Sequence, residues 1–105
     1  MAQFDVYKNP SQQSRQIFPL LLDIQHEVIE HLDTRLVIPL AKPQYFKNQR
    51  LNILMPQVTW QEQSLLLVTP QLSSIAIAVL GQPIGTLRAL RSDIIAALDF
   101  AVTGI

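Results

Sequence analysis

Two histidines and two glutamates fall within one short run, His26-Glu27-Val28-Ile29-Glu30-His31, and side chains of these types can hold a zinc ion. The spacing argues against it. The histidines stand five apart, not the four that align two ligands on one helix face. On a strand, an odd spacing sends them to opposite faces. Solvated loop residues are therefore expected, and no metal. A second chemistry is acid–base cleavage of RNA, which needs a histidine, a cation such as Arg35 and a carboxylate such as Asp23 or Asp33 converging on one phosphate. Sequence does not display that convergence, and ordinary surface charges are the simpler expectation. Ser14, Ser64, Ser73 and Ser74 lack a nucleophile-elbow setting. Three glycines leave no glycine-rich phosphate loop, and the absence of cysteine removes thiol chemistry, thiolate metal sites and disulfides. No catalytic residue, metal or cofactor is expected.

The elements that would carry these residues belong to a chain of 105 residues, the length of one domain spanning 1–105 with a core of its own. It has no apolar run long enough for a membrane span and no signal-peptide plan in Met1-Ala2-Gln3-Phe4-Asp5, so a soluble, cytoplasmic protein without membrane contact is expected. Eight basic residues balance eight acidic ones with no block of either sign, which excludes tight nucleic-acid binding by this chain alone. Only 15% of residues are charged, and twelve glutamines supply polarity instead. A surface so short of charge carries apolar patches, and such patches point to oligomerisation.

All seven prolines precede the C-terminal segment, which divides the chain into a turn-rich, strand-like part and one helix. Gln3 to Tyr7 alternates, with Phe4 and Val6 on one face, and reads as a strand. Ile17 to Gln25 and Arg35 to Ala41 are branched apolar runs that read as further strands, with Pro19 and Pro39 marking edges or bulges. His26 to Asp33 fits a helical turn or a loop. Lys42 to Met55 reads as irregular, anchored by Tyr45 and Phe46. Gln57 to Trp60 and Leu65 to Thr69 read as a hairpin around Gln61 to Ser64, and Ile75 to Leu80 as a buried strand. Trp60 is expected in the core. Thr86 is placed to cap a helix from Leu87, whose apolar face is Leu87, Leu90, Ile94, Leu98 and Ala101, and Gly104 stands where a left-handed C-cap is wanted. The architecture so read is all-β with one added helix.

Chain ends are usually polar and frayed. Here Phe100, Val102 and Ile105 extend the apolar pattern to the last residue on differing sides of the helix, more than one sheet can cover. Leu87 to Leu98 is expected to pack on the sheet. The residues beyond it are expected to form a contact surface for a second copy or a partner.

The tail Asp93-Ile94-Ile95-Ala96-Ala97-Leu98-Asp99-Phe100, followed by Gly104-Ile105, resembles the C-terminus of the CcdB toxins. In the same register Gln3-Phe4-Asp5-Val6-Tyr7, Asp23-Ile24-Gln25 and Thr34-Arg35-Leu36-Val37-Ile38-Pro39-Leu40 resemble that family, with further echoes in Pro56-Gln57-Val58, Leu72-Ser73-Ser74-Ile75 and Leu80-Gly81. The closest look is to chromosomal members that end in Thr-Gly-Ile.

The resemblance implies a mainly β fold, an SH3-like barrel made of an antiparallel sheet and a small extra sheet, with one C-terminal α-helix, assembled as a homodimer. It also implies a non-enzymatic toxin of a type II toxin–antitoxin system. Such a toxin wedges into the dimerisation region of the DNA gyrase A subunits and traps the cleaved-DNA complex, blocking replication and transcription. A CcdA-like antitoxin would release it through a flexible segment, and the two together would repress their operon, with DNA contacted mainly by the antitoxin.

Carried over by position, the gyrase-facing residues are Asp99, Val102, Thr103, Gly104 and Ile105, with Val28 and Ile29 on the same surface. The antitoxin-facing residues fall in the Lys8 to Arg15 loop and the Ala41 to Phe46 region, with Lys8, Arg15, Lys42, Tyr45 and Phe46 as its members. Two positions depart from the pattern. Thr103 stands where the plasmid toxin of the family has a tryptophan, and losing such an aromatic costs about 2 kcal/mol, roughly thirtyfold in affinity. His26-Glu27 replaces the more usual Ser-Asp. The alternatives are a MazF/Kid-like endoribonuclease toxin, which shares the architecture, and a non-toxic relative that only binds the antitoxin.

Overall fold

The computed structural model describes residues 2–26, 32–46 and 52–104. The strands are β1 (Asp5–Lys8), β2 (Leu20–Asp23), β3 (Thr34–Ala41), β4 (Gln57–Trp60), β5 (Gln63–Leu67), β6 (Ser73–Ala76) and β7 (Gly85–Thr86), followed by helix α1 (Arg91–Thr103). All pairings are antiparallel, in the order β4-β5-β3-β2-β1-β7, with β6 added to β3 off that path. The result is a curled half-barrel sheet with one C-terminal helix, the mainly β, SH3-like architecture that the sequence implied.

Strand periodicity sorts the side chains. Val6, Leu20, Leu22, Ile38, Leu40, Leu65 and Leu67 point into the main core, which Leu87, Ile94 and Ala97 of the C-terminal segment cover. Their odd-phase neighbours Tyr7, Leu21 and Val37 form a second cluster with Leu80 on the other face, and Ala41 and Leu66 a third with Met55 and Val68. Burial on both faces explains why β2 reads as an unbroken apolar run.

Several boundaries differ from the sequence reading. Phe4 is buried with Val6 but leaves the strand, because its backbone turns at φ 73°; its N–H donates to the Asp23 carbonyl and its own carbonyl accepts from Leu87. The second strand starts at Leu20, not Ile17, since the Ile17 and Phe18 amides close a turn on the Ser14 carbonyl. Pro39 lies in the central strand β3 and not at an edge. Its missing donor is harmless there. Its carbonyl accepts from Val68, so its nitrogen faces the same side, at the seam where β3 exchanges β6 for β5 as neighbour.

The stretch Ile75 to Leu80 is not a buried strand. β6 covers Ser73–Ala76 and is mostly exposed, and a 3-10 turn follows over Ile77–Val79 once the Ile77 amide reaches the Asp33 carbonyl. The hairpin turn tightens to Gln61 and Glu62, both at positive φ, which lets β5 begin at Gln63. The helix begins at Arg91 after a 3-10 turn over Arg88–Leu90, later than Leu87, because Gly85 and Thr86 are still paired with β1. Thr86 keeps a capping role, its Oγ1 accepting the Arg88 amide at 3.1 Å. Ala101 is exposed and outside the apolar face.

Trp60 packs against the main core yet is only partly buried, and it brings the two ends of the sheet together. A Cβ on Gly85 would run into the Trp60 ring, so β4 and β7 meet only because that residue has no side chain. Replacing Gly85 by alanine is expected to displace the ring and cost about 1–3 kcal/mol. Urea denaturation followed by tryptophan emission checks this, and an unchanged midpoint would contradict the closure.

Candidate functional site

The residues after Leu98 leave the core. Ile94 and Ala97 are the buried members of α1, while Asp99, Ala101, Val102, Thr103 and Gly104 are exposed, Val102 to 78%. The helix stops by a left-handed cap at Gly104, φ 76° and ψ 14°, whose amide donates to the Phe100 carbonyl at 2.9 Å. Nothing among the described residues crowds a Cβ there, and the positive φ is what calls for glycine. Thr103 Oγ1 donates to the Asp99 carbonyl at 2.6 Å, which turns the hydroxyl back onto the helix. Asp99, Val102, Thr103 and Gly104 thus share one exposed helix terminus. Val28, Ile29 and Ile105 lie outside the described residues.

The residues assigned to an antitoxin come together on adjoining segments. Buried Asn9 organises the loop after β1. Its Nδ2 donates to Ser14 Oγ and the Phe18 carbonyl, its Oδ1 accepts from the Ser11 amide, and its carbonyl accepts from Arg15 Nε at 2.8 Å. That loop meets the 42–46 stretch through the Lys42 amide on the Ile17 carbonyl and through Phe18 against Phe46, ring centroids 6.0 Å apart. Phe46 is a partly buried anchor, whereas Tyr45, on a 3-10 turn over Pro43–Tyr45, is 42% exposed. Lys8 is exposed at the end of β1.

The acid–base set is brought together only in part, and in the wrong place. Arg35 Nε donates to Asp23 Oδ2 at 2.8 Å, both side chains at or below 1% exposure. Arg35 Nη2 donates to the Gln25 carbonyl, the Gln25 amide donates to Asp23 Oδ1, and Gln25 Oε1 accepts from the Leu36 amide. The network ties the end of β2 to the start of β3. No phosphodiester reaches a guanidinium so enclosed, while His26 and Asp33 stay on the surface. The burial was legible: a charge inside the apolar run Leu20-Leu21-Leu22-Asp23-Ile24 needs a buried partner. Of the proposed zinc ligands only His26 is described, and it is exposed; among the described residues no group of three potential ligands could hold a metal.

Burial pushes the Asp23 carboxyl above its usual range, against the hydrogen bond from Arg35 that pulls it down. Tyr7 is buried beside Leu21, Val37 and Leu80, and its hydroxyl has no hydrogen-bond partner among the described residues. Burial first, then the charges of Asp23 and Asp5, push its pKa from 10.0 up to about 12. Between those values the unfolded chain has lost this proton and the folded chain keeps it, so stability falls as pH rises through the window. Tyr7→Phe is expected to remove that component and to raise stability at neutral pH by about 1 kcal/mol, because the unsatisfied hydroxyl is gone. Urea titrations of both proteins at a series of alkaline pH values check it. A parallel decline in the two would contradict it.

No helix among the described residues is long and apolar enough to cross a membrane. Among known protein families, the one described as CcdB protein matches residues 3–104, nearly the whole chain. A curled antiparallel sheet, one C-terminal helix with an exposed cap and a match of that extent place this chain in the CcdB family, the toxins of toxin–antitoxin systems.

Proposed function

We propose that this toxin is a non-enzymatic, homodimeric poison of DNA gyrase, built as one domain and acting in the cytoplasm. It binds the gyrase A subunit and traps the cleaved-DNA complex through Asp99, Val102, Thr103, Gly104 and Ile105, with Val28 and Ile29 beside them. A CcdA-like antitoxin neutralises it at Lys8, Arg15, Lys42, Tyr45 and Phe46. Together the two repress their operon, with DNA held through the antitoxin.

The observation that carries this reading is Val102, an apolar side chain left 78% exposed beyond Ala97, the last buried helix residue, in a chain of this family. Isolated exposed apolar residues need no explanation. This one lies on a helix terminus closed by a glycine cap, beside the threonine and aspartate that the family resemblance assigns to the same contact. The endoribonuclease alternative loses its cation, Arg35, and one of its two candidate carboxylates, Asp23, to a buried ion pair.

The test is plasmid DNA incubated with purified gyrase and this protein. Linear DNA that accumulates only when both proteins are present is the expected result. Cleavage of RNA by the protein alone would overturn it. Normal growth on overexpression together with tight antitoxin binding would assign the chain to non-toxic relatives instead.

A further inference from the structure

Where the N-terminal segment, the end of β2 and the start of α1 converge, the surface opens into a cavity of about 430 Å³ lined by Gln3, Phe4, His26, Arg88, Arg91 and Ile95. Its ionisable groups are all basic, two guanidiniums and an imidazole, and no carboxylate lines it among the described residues. The Arg91 guanidinium has no hydrogen-bond or ion-pair partner among those residues. The walls are tied to one another. Gln3 Nε2 donates to the Ile24 carbonyl at 3.1 Å and the Phe4 amide to the Asp23 carbonyl, which holds residues 3–4 against the end of β2. On the other side the Phe4 carbonyl accepts from the Leu87 amide at 2.9 Å, and Thr86 Oγ1 accepts from the Arg88 amide at 3.1 Å. The Arg91 amide in turn donates to the Arg88 carbonyl, so the backbone that carries both arginines is set before any ligand arrives.

A cavity with a fixed backbone and an unneutralised guanidinium calls for an anion, and its donors and size decide which kind. Each guanidinium presents a planar fork that engages two oxygens of one acid group. A lone carboxylate satisfies one fork. Two arginines and an imidazole match the many oxygens of a phosphate chain, and about 430 Å³ lies in the range of small-molecule sites, well above what a single ion fills. Buried Phe4 and half-buried Ile95 give the cavity an apolar side, along which charge-assisted hydrogen bonds are less screened than in open water. We propose that this cavity binds a polyphosphate group, as pyrophosphate or as the phosphate chain of a nucleoside di- or triphosphate, with Arg88 and Arg91 on the phosphates and Ile95 beside the group the chain carries. The site shares no residue with the contacts assigned to gyrase or to an antitoxin, and the proposal rests on neither reading.

The test is calorimetric titration of pyrophosphate, ADP and ATP into the full-length protein at low salt, with neither magnesium nor gyrase present. Saturable binding of one ligand per chain is expected, weakened roughly tenfold or more by Arg91→Gln and by Arg88→Gln. Lys8→Gln, which removes the same charge outside the cavity, should leave binding unchanged. Both arginines are exposed, so the variants should fold; where Arg88→Gln lowers the melting temperature, Arg88→Lys repeats the test by keeping the charge and losing the fork. Proton NMR locates the ligand, since the imidazole signals that disappear in His26→Gln should shift as pyrophosphate is added to wild type. Equal affinity for pyrophosphate and the nucleotides would assign the site to the phosphate chain alone, and tighter nucleotide binding would add a nucleoside contact. Absence of saturable binding, equal weakening by Lys8→Gln, or unmoved His26 signals overturns the proposal. So does a glutamate-rich peptide or a short DNA duplex that binds as tightly as pyrophosphate and is weakened equally by Arg91→Gln, because the cavity would then read negative charge and not a phosphate chain.

Discussion

Removing Gly104 and Ile105 is expected to abolish gyrase-dependent DNA cleavage, by about a hundredfold or more, while leaving the fold and antitoxin binding intact. Burial of an isoleucine side chain at a protein contact is worth around 2 kcal/mol, and a residue at the centre of a contact can exceed that. Gly104 adds the close backbone approach that any side chain would hinder. Little stability should be lost, because the buried residues of α1 are Ile94 and Ala97, well before the cut. The deletion does remove the hydrogen bond from the Gly104 amide to the Phe100 carbonyl, so the last turn frays at a cost of about 1 kcal/mol. A truncated protein that still linearises plasmid with gyrase would end the proposal. Thr103→Trp tests the same contact from the other side. It restores the aromatic of the plasmid toxin, frees the Asp99 carbonyl from the threonine hydroxyl, and is expected to raise potency roughly thirtyfold.

Arg35→Ala is expected to be the most destabilising single change, at about 3–5 kcal/mol, because it strands the Asp23 carboxylate without its partner in a fully buried position. A domain of this size has about 5–15 kcal/mol of stability in all, so the variant should be close to unfolding at 37 °C. The sign with pH follows from Asp23. Burial already raises its pKa, and without Arg35 nothing cationic opposes that rise. The folded variant then holds a proton that the unfolded chain releases above its ordinary carboxylate range. Stability is therefore greatest at low pH and falls as pH rises through that range toward the raised folded value. Urea midpoints at mildly acidic and at neutral pH measure this, and Asp23→Leu/Arg35→Met should recover most of the loss by removing both charges. An Arg35→Ala protein within 1 kcal/mol of wild type at neutral pH would show that Asp23 is solvated or neutral in the folded state.

Much of the fold was legible in the residues. Alternation and branched side chains located β3, β4 and β5 to within a few positions, and Gly104 announced its cap. Boundaries failed where a distant element decided them. Phe4 left its strand to accept the Leu87 amide, Leu87 was held outside the helix by the same bond, and the stretch after Ala76 turned away from the sheet because β3 offered pairing only as far as Thr34. Trp60 was expected in the core and is half in it. Its exposed part lines a surface groove, a feature visible only once Ile84, Lys8 and Arg15 are brought to it from other parts of the chain.

By itself the sequence determined the family, the mainly β character with one C-terminal helix, and an apolar tail too long for its own sheet to cover. Those properties live in composition, local periodicity and a register of matched residues, none of which needs knowledge of distant neighbours. Only the tertiary structure decided that Asp23 and Arg35 are a sealed brace and not a catalytic pair, that Gly85 is required by Trp60, and that the helix terminus at Val102 to Gly104 is exposed. Burial and ion pairing depend on which residues of other strands close around a side chain, and one chain of letters does not carry that geometry.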